Sequence, residues 1–408
     1  MTLIENAVGT ATGLTPEQLD FFHTNGYVVL RNAIDAASLE RFETAALTHP
    51  PVDQVVPGQT WPGPGRYTLS RNAMADPDLA FIMTKPEITE PLRAVLEDDP
   101  KVIMFAYYDR TPGGAGIPSH NDYKRWRPIG SSMRWVFAIV PLCDFDETAG
   151  KLEFAPGSHR VPHTPDAFAP VWNADRPVRP SEAEFIDPEL RRGDLALVDM
   201  HTWHRAGPNQ SDRHRTGLFT KWCAASQPPA TGWFPYNDEV RVALGPAGDH
   251  VLGFSSSKAI QTTRALIERV RSGMSQFLFL EQDSKLSLPG GAATKEGSIP
   301  DWDEGNYVGS LETALEERLR SRLPWASYIG DYEEGDGLCR TYAYRLPEHA
   351  WGIHAHGATW LDCDQIAARA SDLTEPWAPD AAREWLRTDL VRGKAVSEAA
   401  GRADQYAC

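Results

Sequence analysis

The chain has 408 residues, of which 41% are hydrophobic and 24% are charged, a balance typical of a globular protein with an ordinary core rather than of a disordered one. The formal net charge of −16 argues against a nucleic-acid partner, because phosphate binding requires a basic surface. No apolar run reaches the roughly 18 residues that a membrane span needs, and the N-terminus lacks the basic start and apolar core of a signal peptide.

The N-terminal part is predicted to form two helices around a short strand. Thr15 is followed by a proline, a carboxylate and an amide, which predicts a helix start with threonine as the N-cap. Gly26 is expected to end this helix, and Tyr27–Leu30 is predicted to be a short buried strand. A second helix is predicted over Ala36–Leu47 from its apolar spacing.

From about residue 101 the pattern changes to short apolar and aromatic strands. Loops rich in glycine and proline separate them, which is typical of a β-sandwich or jelly roll with helices packed outside. The fold class predicted is therefore mainly β with flanking helices. The predicted strands are Val102–Tyr108, Arg134–Leu142, Leu152–Ala155, Asp194–Met200 and Thr216–Cys223.

Beyond residue 227 the composition changes again. We expect residues 1–227 to form the β domain with its N-terminal helices, and residues 228–408 to form a mixed α/β extension that serves as a lid, a substrate-binding part or an oligomerisation part. The predicted elements of this extension are helices over Lys258–Gly273 and Ser310–Leu323, strands over Arg340–Tyr344 and Trp351–Trp360, and helical segments over Asp364–Ala400.

The segment Pro118–Asp122 carries the first chemical signal. In a strand, residues two apart point to the same side, so His120 and Asp122 offer an imidazole nitrogen and a carboxylate oxygen to one point. Two histidines and one carboxylate on one face of iron leave the opposite positions open for substrate and oxygen. A lone His-x-Asp pattern occurs in many chains by chance, so this interpretation requires a third ligand.

A later segment offers that ligand. A turn at Gly193 is followed by a predicted strand that runs into His201 and His204. A jelly roll brings such a late strand back beside an early one, so either histidine is a candidate. The spacing to the arginines downstream favours His204.

Those arginines, in Arg213–Arg215, precede the last predicted strand. A 2-oxoglutarate cosubstrate chelates iron through its keto-acid end and leaves a distal carboxylate to be anchored. Arginine suits that task because it is permanently charged and binds a carboxylate through two hydrogen bonds. Ser211 is expected to donate a further hydrogen bond to the cosubstrate.

At these positions the sequence resembles the phytanoyl-CoA dioxygenase-like (PhyH-type) iron(II)/2-oxoglutarate oxygenases. Leu14–Arg31 is similar to the first helix and strand of that family, and His120–Asp122 matches its metal pair. Gly150–Arg160 looks like its Gly-x-Leu … Pro-Gly-Ser-His segment, and His204–Arg215 resembles its distal histidine and arginine block. The resemblance covers residues 14–222.

This resemblance implies a double-stranded β-helix core with iron on His120, Asp122 and His204. It also implies that Arg215 binds the distal carboxylate of 2-oxoglutarate. Family members that halogenate have a small residue where Asp122 stands, so halogenation is disfavoured.

Three further residues have expected roles. His159, in the Pro-Gly-Ser-His turn, is expected to shape the loop rather than to bind metal. Phe137 is expected to pack against the cosubstrate, and Tyr108 to reach its other carboxylate. The pair His354 and His356 in the extension has no third ligand at a persuasive spacing and is interpreted as part of a strand or loop.

The expected function is therefore that of an iron(II)- and 2-oxoglutarate-dependent dioxygenase. It would use O2 to hydroxylate or otherwise oxidise a small-molecule metabolite, in secondary metabolism, and would release succinate and CO2. Three alternatives stay open: a protein or peptide hydroxylase that docks its partner on residues 228–408, a non-catalytic binding protein on the same fold, and a cupin-type metalloenzyme that uses no 2-oxoglutarate.

Partners and location follow from composition. We expect a small-molecule substrate, no nucleic-acid or membrane partner, and an oligomeric state in which a homodimer is left open. Five scattered cysteines without a Cys-x-x-Cys pair indicate neither a disulfide framework nor a structural zinc site. A reducing cytoplasm is the expected compartment.

Overall fold

The structure is a computed structural model. It describes residues 13–49, 66–69, 74–121, 136–160, 180–229, 232–233, 236, 238–253, 258–282, 284–293, 307–320, 323, 327–346 and 357–387. In these ranges no helix is both long and apolar enough to cross a bilayer.

A six-stranded antiparallel sheet is the main element of the first part of the chain. Its strands lie in the order β1-β7-β5-β9-β3-β2, so neighbours in the sheet are distant in sequence, as in a jelly roll. The six strands are β1 (Tyr27–Leu30), β2 (Arg66–Leu69), β3 (Pro100–Arg110), β5 (Val136–Pro141), β7 (Leu195–Asp199) and β9 (Arg215–Ala224).

A three-stranded antiparallel sheet covers one face of the first. It consists of β4 (Ile117–His120), β6 (Leu152–Phe154) and β8 (His204–Ala206), in the order β4-β8-β6. Phe154 and Ala206 of the small sheet share one buried cluster with Ile139 and Phe219 of the large sheet. The two sheets therefore pack face to face, which confirms the predicted mainly β fold with a double-stranded β-helix core.

Helices cover the opposite face of the large sheet. They are α1 (Pro16–Asn25), α2 (Ala36–Ala46), α3 (Pro77–Ala80) and α4 (Pro86–Leu96). Phe42 of α2 and Leu92 of α4 share the largest buried cluster with Phe105 and Trp222 of the sheet. Successive side chains of a strand point to opposite faces. Along each strand of the large sheet, side chains therefore point alternately toward the helices and toward the small sheet.

The predicted start and end of the first helix are both confirmed. The Thr15 hydroxyl accepts a hydrogen bond from the backbone N–H of Gln18, whose side chain in turn accepts one from the Thr15 N–H. Gly26 follows the helix with φ of +78°, and its N–H donates to the Phe22 carbonyl. A left-handed residue at this position is the usual helix end, and glycine adopts it without steric cost.

Two short helices beyond residue 227 pack into the same core. They are α5 (Asp238–Leu244) and α6 (Gly248–Val251), and Val240 and Val251 belong to the largest cluster. The Tyr236 hydroxyl donates to the Val102 carbonyl at 3.2 Å. We therefore propose that the first structural unit extends to about residue 253, beyond the division expected at residue 227.

A second, mixed sheet follows. Its central path runs β12-β11-β10-β15-β14, with β13 paired to β10 and β16 paired to β11. The strands are β10 (Ile260–Arg271), β11 (Met274–Gln282), β12 (Lys285–Ser287), β13 (Gly290–Ala292), β14 (Ser327–Glu334), β15 (Gly337–Arg345) and β16 (Ala358–Leu361). Helix α7 (Tyr307–Leu319) packs on one face through Leu311, and α8 (Cys363–Ala368) packs on the other through Ile366.

The helix predicted over Lys258–Gly273 is wrong, because these residues form strand β10. Ile267 faces the cluster under α7, whereas Leu266 faces the cluster under α8. A strand buried on both faces need not alternate polar and apolar residues, and in β10 the apolar residues Ile260, Ile267 and Val270 recur at spacings that also suit one face of a helix.

The other predictions for this part have mixed outcomes. The predicted strand over Arg340–Tyr344 lies within β15, and the helix predicted over Ser310–Leu323 corresponds to α7. In the region predicted to be helical from Asp364 onward, α8 is followed by a helix over residues 378–387, and the rest lies outside the described residues. His354 and His356 also lie outside them.

Candidate metal and cosubstrate site

The small sheet brings two histidines together. His120, the last residue of β4, is paired in register with His204, the first residue of β8. Residues directly opposite each other in an antiparallel pair project to the same face. The two imidazole rings accordingly lie with centroids 4.3 Å apart and planes inclined by 56°. The predicted proximity of these side chains is thus present in the structure.

A backbone carbonyl orients each ring. His120 Nδ1 lies 2.8 Å from the Pro118 carbonyl oxygen, and His204 Nδ1 lies 3.0 Å from that of Thr202. A carbonyl only accepts hydrogen bonds, so each Nδ1 carries the proton and each Nε2 carries the lone pair. Metal-binding histidines are oriented in this way. The donor set therefore fits a metal held by two Nε2 atoms.

The carboxylate of the predicted triad lies outside the described residues, since the structure describes Asn121 but not residues 122–135. Among the residues that it does describe, no group of three or more His, Cys, Asp or Glu side chains could hold a metal ion. The roles of His120, Asp122 and His204 as ligands therefore stay predictions.

His201, the competing candidate, is placed differently. It lies in the turn between β7 and β8, where its backbone N–H donates to Asp199 Oδ1 at 2.8 Å and its Nδ1 lies 3.2 Å from the same oxygen. Asp199 therefore orients the His201 ring, whereas His204 is the histidine in register with His120.

Arg215 begins strand β9 and is only 3% exposed. Its guanidinium carbon lies 3.6 Å from the centroid of the Phe145 ring, so the aromatic face supports the flat guanidinium group. Its neighbours in the basic run point elsewhere, since Arg213 forms an exposed ion pair with Asp146 and His214 is largely exposed. The run therefore supplies one buried cation.

Ser211 lies in the turn before β9. Its hydroxyl donates to Asn209 Oδ1 at 2.6 Å, and the Asn209 side-chain amide donates to the carbonyls of Arg110 and Arg213. These hydrogen bonds fix the turn that leads into Arg215. The predicted hydrogen bond from Ser211 to the cosubstrate stays a prediction.

His159 contacts the backbone of the first helix. Its Nε2 donates to the His23 carbonyl at 3.1 Å, and burial lowers the pKa of its imidazole, so the neutral ring is favoured. The adjacent Ser158 hydroxyl accepts a hydrogen bond from the Trp203 N–H at 2.9 Å. This segment braces the turn before His204, which fits the loop-shaping role expected for His159.

The aromatic residues suggested by the sequence lie on the inner face between the sheets. The Phe137 ring lies 6.4 Å from the His204 ring and 5.7 Å from the Phe219 ring. Tyr108 meets Phe219 edge to face at 5.0 Å. Phe137, Phe219 and Tyr108 thus form an aromatic wall that adjoins His204 through Phe137.

The same inner face carries two further buried cations, Arg110 and Lys221, that were not predicted from the sequence. Arg110 is paired in register with Arg215, and Lys221 is paired with Phe137. They are 4% and 7% exposed. Lys221 is six positions after Arg215 in β9, an even number, so strand alternation counted from Arg215 could have placed it on the same face. Nothing in the neighbouring sequence indicated that Arg110 or Lys221 is buried.

Residues 22–217 match the family model described as phytanoyl-CoA dioxygenase (PhyH). This match covers most of the unit that contains the two packed sheets. It also contains the predicted site residues that the structure describes, which are His120, His204, Ser211 and Arg215.

Two curated relatives carry the name dioxygenase. Dioxygenase cdmA of Talaromyces verruculosus is 26% identical over 222 residues, which are 50% of this chain and 71% of the relative. Dioxygenase af480 of Aspergillus fumigatus is 22% identical over 178 residues, which are 43% of this chain and 54% of the relative.

Two similar solved structures contain 2-oxoglutarate, which is also called α-ketoglutarate. The epimerase SnoN from nogalamycin biosynthesis, in complex with Fe3+ and α-ketoglutarate, is 20% identical with a TM-score of 0.43, over 51% of this chain and 83% of that one. EctD from S. alaskensis with 2-oxoglutarate is 18% identical with a TM-score of 0.43, over 56% of this chain and 82% of that one.

Proposed function

Residues 22–217 of this chain belong to the phytanoyl-CoA dioxygenase (PhyH) family, and on that premise we propose that it is an iron(II)- and 2-oxoglutarate-dependent oxygenase of a small-molecule metabolite. In the proposed reaction, 2-oxoglutarate and O2 give succinate and CO2 while a C–H bond of the metabolite is oxidised, with hydroxylation as the expected outcome. The observation that carries the proposal is the cross-strand pair of His120 and His204.

His120 and His204 would hold the iron together with Asp122. The hydrogen bonds from their Nδ1 atoms to Pro118 and Thr202 fix both rings before metal arrives, so little side-chain freedom is lost on binding. Iron and 2-oxoglutarate, once bound, supply the activation of O2 that a protein side chain cannot provide.

Arg215 would bind the distal carboxylate of 2-oxoglutarate. A planar guanidinium donates two parallel hydrogen bonds to a carboxylate, and the Phe145 ring at 3.6 Å fixes its plane. Because Arg215 is almost fully buried, its charge acts in a medium of lower dielectric than water and attracts the carboxylate more strongly.

The aromatic wall would exclude water from the reacting centre. Phe137 lies beside His204 and packs against Phe219 on the inner face, and Tyr108 packs against Phe219. Exclusion of water strengthens the electrostatic interactions within the site and suppresses side reactions. The alternative of a docked protein substrate has no specific support among the described contacts.

The first test is oxoglutarate-dependent succinate release together with iron(II) binding. We expect His204→Ala to abolish both, because it removes one ligand. The matched control, His201→Ala, removes a buried histidine three residues away and should keep both. If iron-dependent consumption of O2 proceeded without 2-oxoglutarate, or if His201→Ala rather than His204→Ala lost iron, the proposal would be wrong.

A further inference from the structure

Gly217 lies in strand β9 between Arg215 and Phe219, and all three share one face of the strand, because residues two apart point the same way. Phe219 belongs to the cluster between the two sheets, so a side chain at position 217 would point into the space between them. Glycine weakens a strand, since it has no side chain to pack and loses more backbone freedom on folding. Its presence at this buried position indicates a local requirement.

The backbone does not explain the glycine. The φ angle of Gly217 lies outside the left-handed region that favours glycine. Its register is continuous with Tyr108 of β3 on one side and with Pro141 of β5 on the other, so no bulge lies at this position. The remaining explanation is that another group approaches closely.

Two aromatic rings occupy the space beside Gly217. A Cβ at this position would lie 2.8 Å from Cε2 of Phe219 and 3.0 Å from Cζ of Phe145. Carbon atoms in contact prefer a separation of about 3.5–4.0 Å. Any larger residue at position 217 would therefore displace one ring or both.

Phe145 is brought to this place by the segment that follows β5. The Leu142 N–H donates to the Thr216 carbonyl at 3.0 Å, which keeps the segment alongside β9. The Phe145 N–H donates to the Leu190 carbonyl at 2.9 Å, and the residue is only 1% exposed. The backbone of Phe145 is thus fixed, and the free space at Gly217 decides where its ring lies.

The rings beside Gly217 belong to a row that runs from Arg215 to His204. The Arg215 guanidinium carbon lies 3.6 Å from the centroid of the Phe145 ring, which is nearly parallel to the Phe219 ring at 6.4 Å and 10°. Phe219 lies 5.7 Å from Phe137, whose ring is 6.4 Å from that of His204. The row connects the proposed carboxylate anchor with a proposed iron ligand.

We propose that Gly217 is a positioning residue for 2-oxoglutarate: it leaves room for the Phe145 ring, which holds the Arg215 guanidinium in the orientation that the distal carboxylate requires. This inference rests on the function proposed above. Two parallel hydrogen bonds form only when the planes of guanidinium and carboxylate match. A displaced ring would therefore weaken the binding of the distal carboxylate and leave the binding of the keto-acid end to iron unchanged.

The test compares two keto acids that differ only at the distal end. Iron(II)-loaded protein, kept free of O2, is titrated by calorimetry with 2-oxoglutarate and with 2-oxopentanoate, in which a methyl group replaces the distal carboxylate. The ratio of the two dissociation constants measures the selectivity for that carboxylate. A general disturbance of the fold or of the metal site weakens both ligands and leaves the ratio unchanged.

Gly217→Ala should lower this selectivity roughly 2- to 30-fold, the range expected for loss of a cation–π contact, with little change for 2-oxopentanoate. The matched control is Gly330→Ala in β14 of the second sheet, where a Cβ would also press on a ring, that of Tyr332 at 3.1 Å. The control should keep the selectivity of the wild type.

Phe145→Leu removes the ring without crowding the strand and should lower the selectivity to a similar extent, so it tests the proposal even where Gly217→Ala fails to fold. The double variant should be no less selective than Phe145→Leu alone, because Gly217 acts through that ring.

Three results would overturn the proposal: equal weakening of both keto acids in Gly217→Ala, unchanged selectivity in Phe145→Leu, or additive losses of selectivity in the double variant. A wild-type protein that binds 2-oxoglutarate no more tightly than 2-oxopentanoate would instead contradict the role of Arg215 in the function proposed above.

Discussion

Arg110 and Arg215 face each other across β3 and β9, and both are almost fully buried. Like charges directly opposite in a sheet destabilise it, so the pair needs compensation. Arg110 donates to the Gly207 carbonyl, and Arg215 stacks on the Phe145 ring. In the function proposed above, the distal carboxylate of 2-oxoglutarate would lie next to this pair and interact favourably with it.

Replacing Arg215 by methionine should weaken the binding of 2-oxoglutarate. The lost charge-assisted hydrogen bonds are worth about 1.5–3 kcal/mol, so KM for 2-oxoglutarate should rise roughly 10- to 150-fold. Succinate release at varied 2-oxoglutarate concentration measures the change. Arg213→Met is the matched control, because Arg213 is an exposed neighbour paired with Asp146. Equal effects of the two substitutions would contradict the assignment.

His159 should make the stability of the fold depend on pH. Burial lowers the pKa of its imidazole in the folded state, whereas the unfolded value is about 6.5. As pH falls below that value, the unfolded chain takes up the proton first, so the free energy of unfolding decreases.

The comparison is between wild type and His159→Gln, whose amide can still donate to the His23 carbonyl. Urea midpoints measured from about pH 7 down to about pH 5 should fall more for the wild type than for the variant. Parallel decreases would show that other groups cause the pH dependence.

Among the elements, the turn that leads from β7 into His204 is held from several sides. The Thr202 hydroxyl donates to the Gly26 carbonyl at 2.8 Å, and the Trp203 N–H donates to Ser158. The end of helix α1 and the 3-10 turn at Ser158–Arg160 therefore both position the strand that carries His204. Residues distant from the site in sequence set its geometry.

Gly26→Ala should destabilise the fold and disturb this turn. A left-handed backbone costs about 1–2 kcal/mol for a residue with a Cβ, and a Cβ at Gly26 would also overlap Thr202 and His159. Gly113→Ala is the control, because Gly113 has a similar φ of +76° with no atom near a Cβ. Urea unfolding should show a larger loss for Gly26→Ala, and iron(II) affinity should fall in that variant alone. Equal losses would mean that only backbone strain matters.

At the scale of the whole molecule, a first unit that extends to about residue 253 is followed by a second unit built on the mixed sheet. Helices α5 and α6 belong to the first core, while Trp233 contacts both the inner-face cluster and the core of the second sheet. Trp233 therefore links the two units, since its side chain packs against the cluster that contains Cys223 of β9 and its carbonyl accepts a hydrogen bond from Arg340 of β15.

The division between the units can be tested by truncation. Val240, Leu244, Val251 and Leu252 are buried in the first core, and burial of four such side chains contributes roughly 6–12 kcal/mol. Since a whole domain is typically stable by only about 5–15 kcal/mol, a chain ending at residue 227 should not fold.

A chain ending at residue 253 keeps those side chains and should unfold cooperatively in urea when followed by circular dichroism. Cooperative unfolding of the shorter chain would place the boundary at residue 227 after all.

The predicted cytoplasmic location and oligomeric state stay predictions.

The sequence by itself determined the features that depend on near neighbours. The capping box at Thr15 and the helix end at Gly26 follow from interactions within a few residues. The order of the metal and arginine motifs along the chain was enough to indicate the family, because such motifs are local patterns.

Only the tertiary structure decided the features that depend on contacts between distant segments. The register of His120 with His204, the burial of Arg110 and Lys221, and the strand β10 in place of a helix all arise from pairing across the sheets. Burial depends on which segments pack together, and pairing between strands far apart in sequence leaves no local periodic signal. The same reason explains why α5 and α6 join a core that the composition had assigned to a separate unit.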